Sequence, residues 1–278
     1  TAVGYLSLYA NVTGTANTAV GKDALEANTG DNNTAVGLDA MTANTSGTQG
    51  TGIGVGALTA NTTGSYNSAL GYLALGANTT GTENVAVGGA ALDAQTTASY
   101  NTAVGYNAGS ANTTGSQNTF IGRYAGAANT TGANTVVVGS GALATNTTGT
   151  ENVAIGKGAL NANTTASYNT AVGKDALLAN TTGASNVSIG FKSLLTNTTG
   201  ANNTAVGESA LRANTTADNN TAVGFTALTA NTTGTANVAV GTYALDANTT
   251  GSYNIAMGKG ALGSNTTGTQ NTVVGQAS

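Results

Sequence analysis

Thr221-Ala222-Val223-Gly224-Phe225-Thr226-Ala227-Leu228-Thr229-Ala230-Asn231-Thr232-Thr233-Gly234-Thr235-Ala236-Asn237 is one turn of a pattern that fills the chain. The glycine at its fourth place recurs at Gly4, Gly21, Gly37, Gly54, Gly71 and onward to Gly275, every 17 residues except one interval of 16. A short fixed period over a whole chain predicts a solenoid or fibre, because each unit can bury its apolar face only against its neighbours.

Numbering the columns of the repeat 1 to 17 from Thr1 separates two kinds of position. Column 3 is always aliphatic (Val3, Val20, Val36, Ile53, Leu70, Val87), column 4 is always Gly, and column 8 is Leu or Met except at Gly109 and Gly126. Column 11 is Asn except at Gln95, and column 17 is Asn except at Gly50 and Thr135. Every charged residue, and all ten Tyr, fall in columns 5, 6, 9, 15 or 16. Charges are almost never fully buried and Tyr keeps its hydroxyl partnered, so these five columns are expected to face solvent and the other twelve to be fixed by structure.

The predicted fold is all-β: a parallel β-solenoid, or β-roll, of about sixteen 17-residue rungs. Two short strands are expected per rung, at columns 17–3 and 7–10, with Gly and Asn-Thr-Thr-Gly turns between them. Rungs about 4.8 Å apart predict a rod on the order of 75–80 Å long. The aliphatics of column 3 and the leucines of column 8 are expected to form inner ridges. The Asn columns are expected to form amide ladders that also bond the turns. Column 2, nearly always Ala, is read as facing away from that core, towards side-by-side copies of the chain. Phe120 breaks column 2 and is expected to fill the volume left by Gly109 and Gly126. The short unit from Thr18 to Asn33 loses its residue in the turn Asn28-Thr29-Gly30, which should preserve register.

Composition narrows the chemistry. There is no Cys or His, so the commonest transition-metal ligands and catalytic bases are missing, and no cofactor or metal is expected. Net charge is −4 with 7 basic residues along the array, against a nucleic-acid partner. No apolar run approaches membrane-spanning length, so no membrane insertion is expected. The sequence reads as a single repeat array over 1–278, starting and stopping inside a repeat, as a segment of a longer fibre protein would.

Asn101-Thr102-Ala103-Val104-Gly105 through Ala108, and Asn152-Val153-Ala154-Ile155-Gly156 through Ala159, resemble the head repeat of trimeric autotransporter adhesins, with its S/N-x-A-I-G-x-x-A core. Units such as Asn118-Thr119-Phe120-Ile121-Gly122 also resemble repeats in phage-type tail fibres, which often end in a self-cleaving chaperone. The adhesin repeat is shorter and lacks the Asn-Thr-Thr insert. The resemblance implies a left-handed β-roll, a homotrimer of side-by-side rods, and an extracellular, cell-surface or virion tail-fibre location.

Local motifs add little chemistry. Asn-x-Thr sequons such as Asn61-Thr62-Thr63 recur too closely for a glycan on each and read as turns. Lys22-Asp23 and Lys174-Asp175 read as solvated pairs, and Asp23 with Asp39 as at most a weak cation site. The candidate surface ligand contacts are Tyr66, Tyr100, Tyr168 and Tyr253, whose rings suit stacking on sugars. The leading functional expectation is a structural and adhesive fibre segment binding itself and, weakly and repeatedly, host-surface glycans or proteins. The alternative is an ice-binding solenoid presenting Thr and Asn arrays, against which stands the adjacency of Thr62 and Thr63, neighbours that would point to opposite faces of a strand. A glycan-cleaving enzyme needs clustered carboxylates. Outside the group Asp23, Glu26, Asp31 and Asp39 the acids are scattered, so no enzyme is expected.

Overall fold

A computed structural model describes residues 1–276. Among these residues there is no helix, and seventeen short parallel strands run from β1 (Ala2–Val3) to β17 (Thr272–Val274). The chain divides into two compact units, Thr1–Ser140 and Gly141–Ser278. The first carries β1 to β9 (Val136–Val138); the second carries β10 (Val153–Ile155) to β17. Each unit is a β-solenoid in which a strand pairs in register with the same strand of the next rung, as in Thr102↔Thr119 and Thr204↔Thr221. The shortened unit keeps this register, Thr18↔Thr34 through Val20↔Val36, so the deletion is absorbed in its turn.

Only columns 1–3 form a strand, and the second strand expected at columns 7–10 is a run of turns. Columns 6 and 8 lie in the left-handed region, for example Leu73 (φ 52°) and Leu75 (φ 52°), which no strand tolerates. That conformation costs roughly 1–2 kcal/mol per residue. Full burial of the column-8 leucine returns about 1.5–3 kcal/mol, which offsets the cost at its own position. The turn backbone is still laddered between rungs: Leu73 N–H donates to Val55 O (3.0 Å) in the preceding rung, and Leu75 N–H to Ala91 O (3.0 Å) in the following one.

The strand faces the opposite way from the sequence expectation. Val104 is 37 % exposed and Ala103 is buried, while Leu160 is buried as expected. Away from the terminal rungs the interior is built from columns 2, 7, 8, 11, 14 and 17, with columns 1 and 3 outside. The cause is the narrow rung. With a leucine in column 8 there is room opposite it only for alanine, so the β-branched residues take the outer face. Column 2 is therefore small because it faces column 8, not because another molecule approaches it.

Volume exchange across the interior makes the point. Phe120, in column 2, is fully buried. A Cβ on Gly109 would lie 2.6 Å from its Cδ2, and one on Gly126 would also strike the ring, so Phe120 occupies the space of two missing leucines. Met41, longer than the usual Leu, reaches towards Gly50 and Gly52, where a Cβ would lie 2.6 Å from Met41 Cε and 2.8 Å from its Cγ respectively. Ser188 and Ser193 replace the facing alanines of columns 2 and 7 together, and their hydroxyls bond each other at 2.6 Å.

Column 4 admits only glycine. Gly105 has φ 135°, a region closed to L side chains, and a Cβ there would stand 2.7 Å from the carbonyl carbon of Gly122 in the next rung.

Both Asn columns form the expected ladders. In column 11, Asn61 Nδ2 donates to Asn44 Oδ1 (2.8 Å) and to Gly64 O (2.9 Å), and Asn78 Nδ2 repeats the pattern onto Asn61 Oδ1 (2.9 Å). In column 17, Asn101 N–H donates to Asn84 Oδ1 (2.9 Å), and Asn101 Nδ2 to Gly115 O (2.9 Å). These amides are buried, so the ladders satisfy a polar interior that would otherwise be costly.

Gln95 interrupts column 11. Its extra methylene carries Nε2 to Ala98 O (3.1 Å) and leaves Asn78 Oδ1 buried without a donor. Gln95→Asn is expected to restore the bond and stabilise the first unit by about 1 kcal/mol, the low end of the cost of an orphaned buried acceptor. A calorimetric melt that is unchanged or lowered would contradict this.

Candidate binding surfaces

The charged columns lie outside as expected: Lys157 and Glu83 are exposed, and no charged residue is buried among the described residues. Lys22 Nζ meets Asp23 Oδ2 at 2.9 Å, and this hydrogen bond raises the lysine pKa. Asp23 therefore has a cation of its own. Among the described residues no group of three or more acids that could hold a metal ion occurs. Asp31 accepts from Thr15 N–H (2.6 Å) and Thr15 Oγ1 (3.0 Å), which hold its carboxyl below the usual range, whereas partial burial pushes Asp93 up.

The four candidate tyrosines all occupy column 16, at left-handed φ values of 59° to 64°. All are exposed. They do not form one site: Glu83 separates Tyr66 from Tyr100, and Tyr253 lies five rungs beyond Tyr168. The ring pairs that do form lie in columns 5 and 6. Tyr106 meets Tyr124 edge to face at 5.6 Å, with Arg123 over the Tyr124 ring at 4.6 Å, and Phe225 meets Tyr243 at 5.5 Å. A spacing of 18 residues between an aromatic in column 5 and one in column 6 is the sequence signal for such pairs. The sequence reading passed over it.

The column-11 sequons of the inner rungs are closed. Asn61 is buried with both amide hydrogens committed to the ladder, so a glycan there would require the rung to open, whereas the sequons that start at Asn32, Asn202 and Asn219 in column 16 are exposed. Among the described residues, no helix is long and apolar enough to cross a membrane.

Two outer surfaces run along each unit. One is the strand face, with Thr, Val, Ser68 or Ile255 in column 1 and Val, Ile, Leu70 or Met257 in column 3. The other runs along columns 13 and 15, where Thr63-Gly64-Ser65 and Thr80-Gly81-Thr82 read exposed, buried, half-buried. No protein-family model matches the chain, and no curated protein or solved structure matches it.

Proposed function

We propose that the chain is a structural and adhesive fibre segment whose copies pack side by side, as a homotrimer, through the strand face. The observation that supports this reading is the unbroken aliphatic stripe of column 3. Val20, Ile53, Val104 and Ile121 in the first unit, and Ile155 and Ile189 in the second, are all more than a third exposed. Columns 1 and 3 contain no charge anywhere.

Two half-exposed side chains per rung, over the nine strands of the first unit, leave an apolar surface of several hundred Å², near the roughly 800 Å² per partner of a standard interface. A second copy carries the same 17-residue period, so every rung finds an identical apolar partner while the charged columns stay in water. Repetition then gives length and stiffness, and weak contacts from the column-16 tyrosines to surface glycans or proteins would add by multivalency. A cell-surface or virion tail-fibre location fits this role.

Light scattering of the purified chain tests the reading. The expected mass is three times the 26.7 kDa protomer, and Val104→Lys with Ile121→Lys should release folded monomers. A wild-type chain that is folded and monomeric at micromolar concentration overturns it.

A further inference from the structure

We propose that the surface formed by columns 13 and 15 binds the ordered water of an ice-crystal face. Column 13 carries the first argument. It is Thr in every rung that has the position, apart from Ser46, and it is exposed throughout. The fold does not use that hydroxyl. The neighbouring column-12 threonines do serve the ladder, Thr62 Oγ1 donating to Thr79 O (3.0 Å) and Thr181 Oγ1 to Thr198 O (3.0 Å). Among the described residues no such bond is made by the side chains of Thr63, Thr80, Thr182 or Thr216. A turn needs no β-branched residue at an exposed position, so its repetition points outward, to a ligand.

The second argument is geometry. Thr62 and Thr63 do not take opposite faces, because both lie in a bend; the outward partner of Thr63 is Ser65, across the buried Gly64. Column 15 is itself laddered, Thr48 N–H donating to Ser65 Oγ (3.1 Å) and Thr82 N–H to Ser99 Oγ (3.0 Å), which fixes those hydroxyls in place. The result is a row of exposed threonine hydroxyls and methyls about 4.8 Å apart between rungs, flanked by the half-buried residues of column 15. That spacing lies close to the oxygen repeat along the a axis of ice. Column 13 has no charge, and column 15 has only Asp31 and Asp218. A small soluble ligand needs one site. A ligand matched by many identical weak sites in a fixed lattice is itself a lattice, and binding grows with the number of rungs engaged.

This inference goes beyond the fibre reading and uses a different face. Its test is thermal hysteresis and ice-crystal shaping by the full chain. Wild type is expected to depress growth and facet the crystals. Thr182→Lys, Thr216→Lys and Thr250→Lys together, on alternate rungs, should abolish both effects without changing the Tm or circular dichroism. Leu178→Lys with Asp246→Lys, which place cations at the same spacing around Arg212 in column 9, should retain both. A folded wild type without hysteresis overturns the proposal, as does a column-13 variant that keeps full activity or adsorption to a polysaccharide without any effect on ice. A trimer lacking hysteresis leaves the fibre reading standing, and a monomer showing it leaves only the ice reading.

Discussion

Phe120→Ala is expected to lower the stability of the first unit by about 3–5 kcal/mol, the usual cost of emptying a buried aromatic site. The ring is fully buried and lies where two leucines are absent, at Gly109 and Gly126. No neighbour can collapse into the gap, because the rungs above and below are held in register by the backbone ladder. Adding Gly109→Leu and Gly126→Leu to Phe120→Ala recreates the consensus rung and should recover most of the loss. The same two leucines added with Phe120 retained should destabilise by overpacking, since their Cβ atoms would collide with the ring. Chemical denaturation of wild type and the three variants closes the cycle, and additive effects would contradict the packing described above.

Asn180→Asp should be the most damaging isosteric change in the second unit, costing about 3–5 kcal/mol at neutral pH, as for a buried charge left without a partner. Asn180 Nδ2 donates to Asn163 Oδ1 (3.0 Å) and Gly183 O (2.9 Å), while its Oδ1 accepts from Asn197 Nδ2 (2.9 Å). A carboxylate offers no donor and would set an oxygen against two oxygens in a buried column. Its pKa must rise on folding, so the unfolded chain ionises first as pH increases. Stability of the variant is then highest below the unfolded carboxylate pKa and falls as pH climbs towards the raised folded value. Thermal melts across acid to neutral pH should show the variant approaching wild type only at the acid end. A pH-independent deficit would mean that the ladder is not the cause.

Much of this architecture was legible in the repeat. Fixed columns of Asn announced the ladders, the charges marked water-facing positions, and the deletion at Asn28-Thr29-Gly30 fell where a turn could absorb it. The orientation of the strand was misread because alternation gives two faces without naming the inner one, and both are apolar here: Ala in column 2, Val or Ile in column 3. Hydrophobicity favoured Val, whereas the space inside a 17-residue rung favours Ala. The decisive clue was already present in Phe120, Gly109 and Gly126, whose exchange of volume requires columns 2 and 8 to face each other. The turns at columns 7–10 were hidden by leucines at left-handed φ, a conformation that residue type disfavours and only burial explains. The tyrosines were correctly placed outside, but a period of 17 says nothing about which exposed rings meet.

The column-11 ladder has a direction. Within each unit, and except at Gln95, the amides donate to the rung made before and accept from the rung made after, as Asn197 does with Asn180 and Asn214. A nascent chain emerges from the ribosome in that same order, so each finished turn offers ready acceptors to the next and assembly can proceed vectorially during translation. Docking a turn upside down would set acceptor against acceptor, and the stack thereby proofreads its own orientation as it grows.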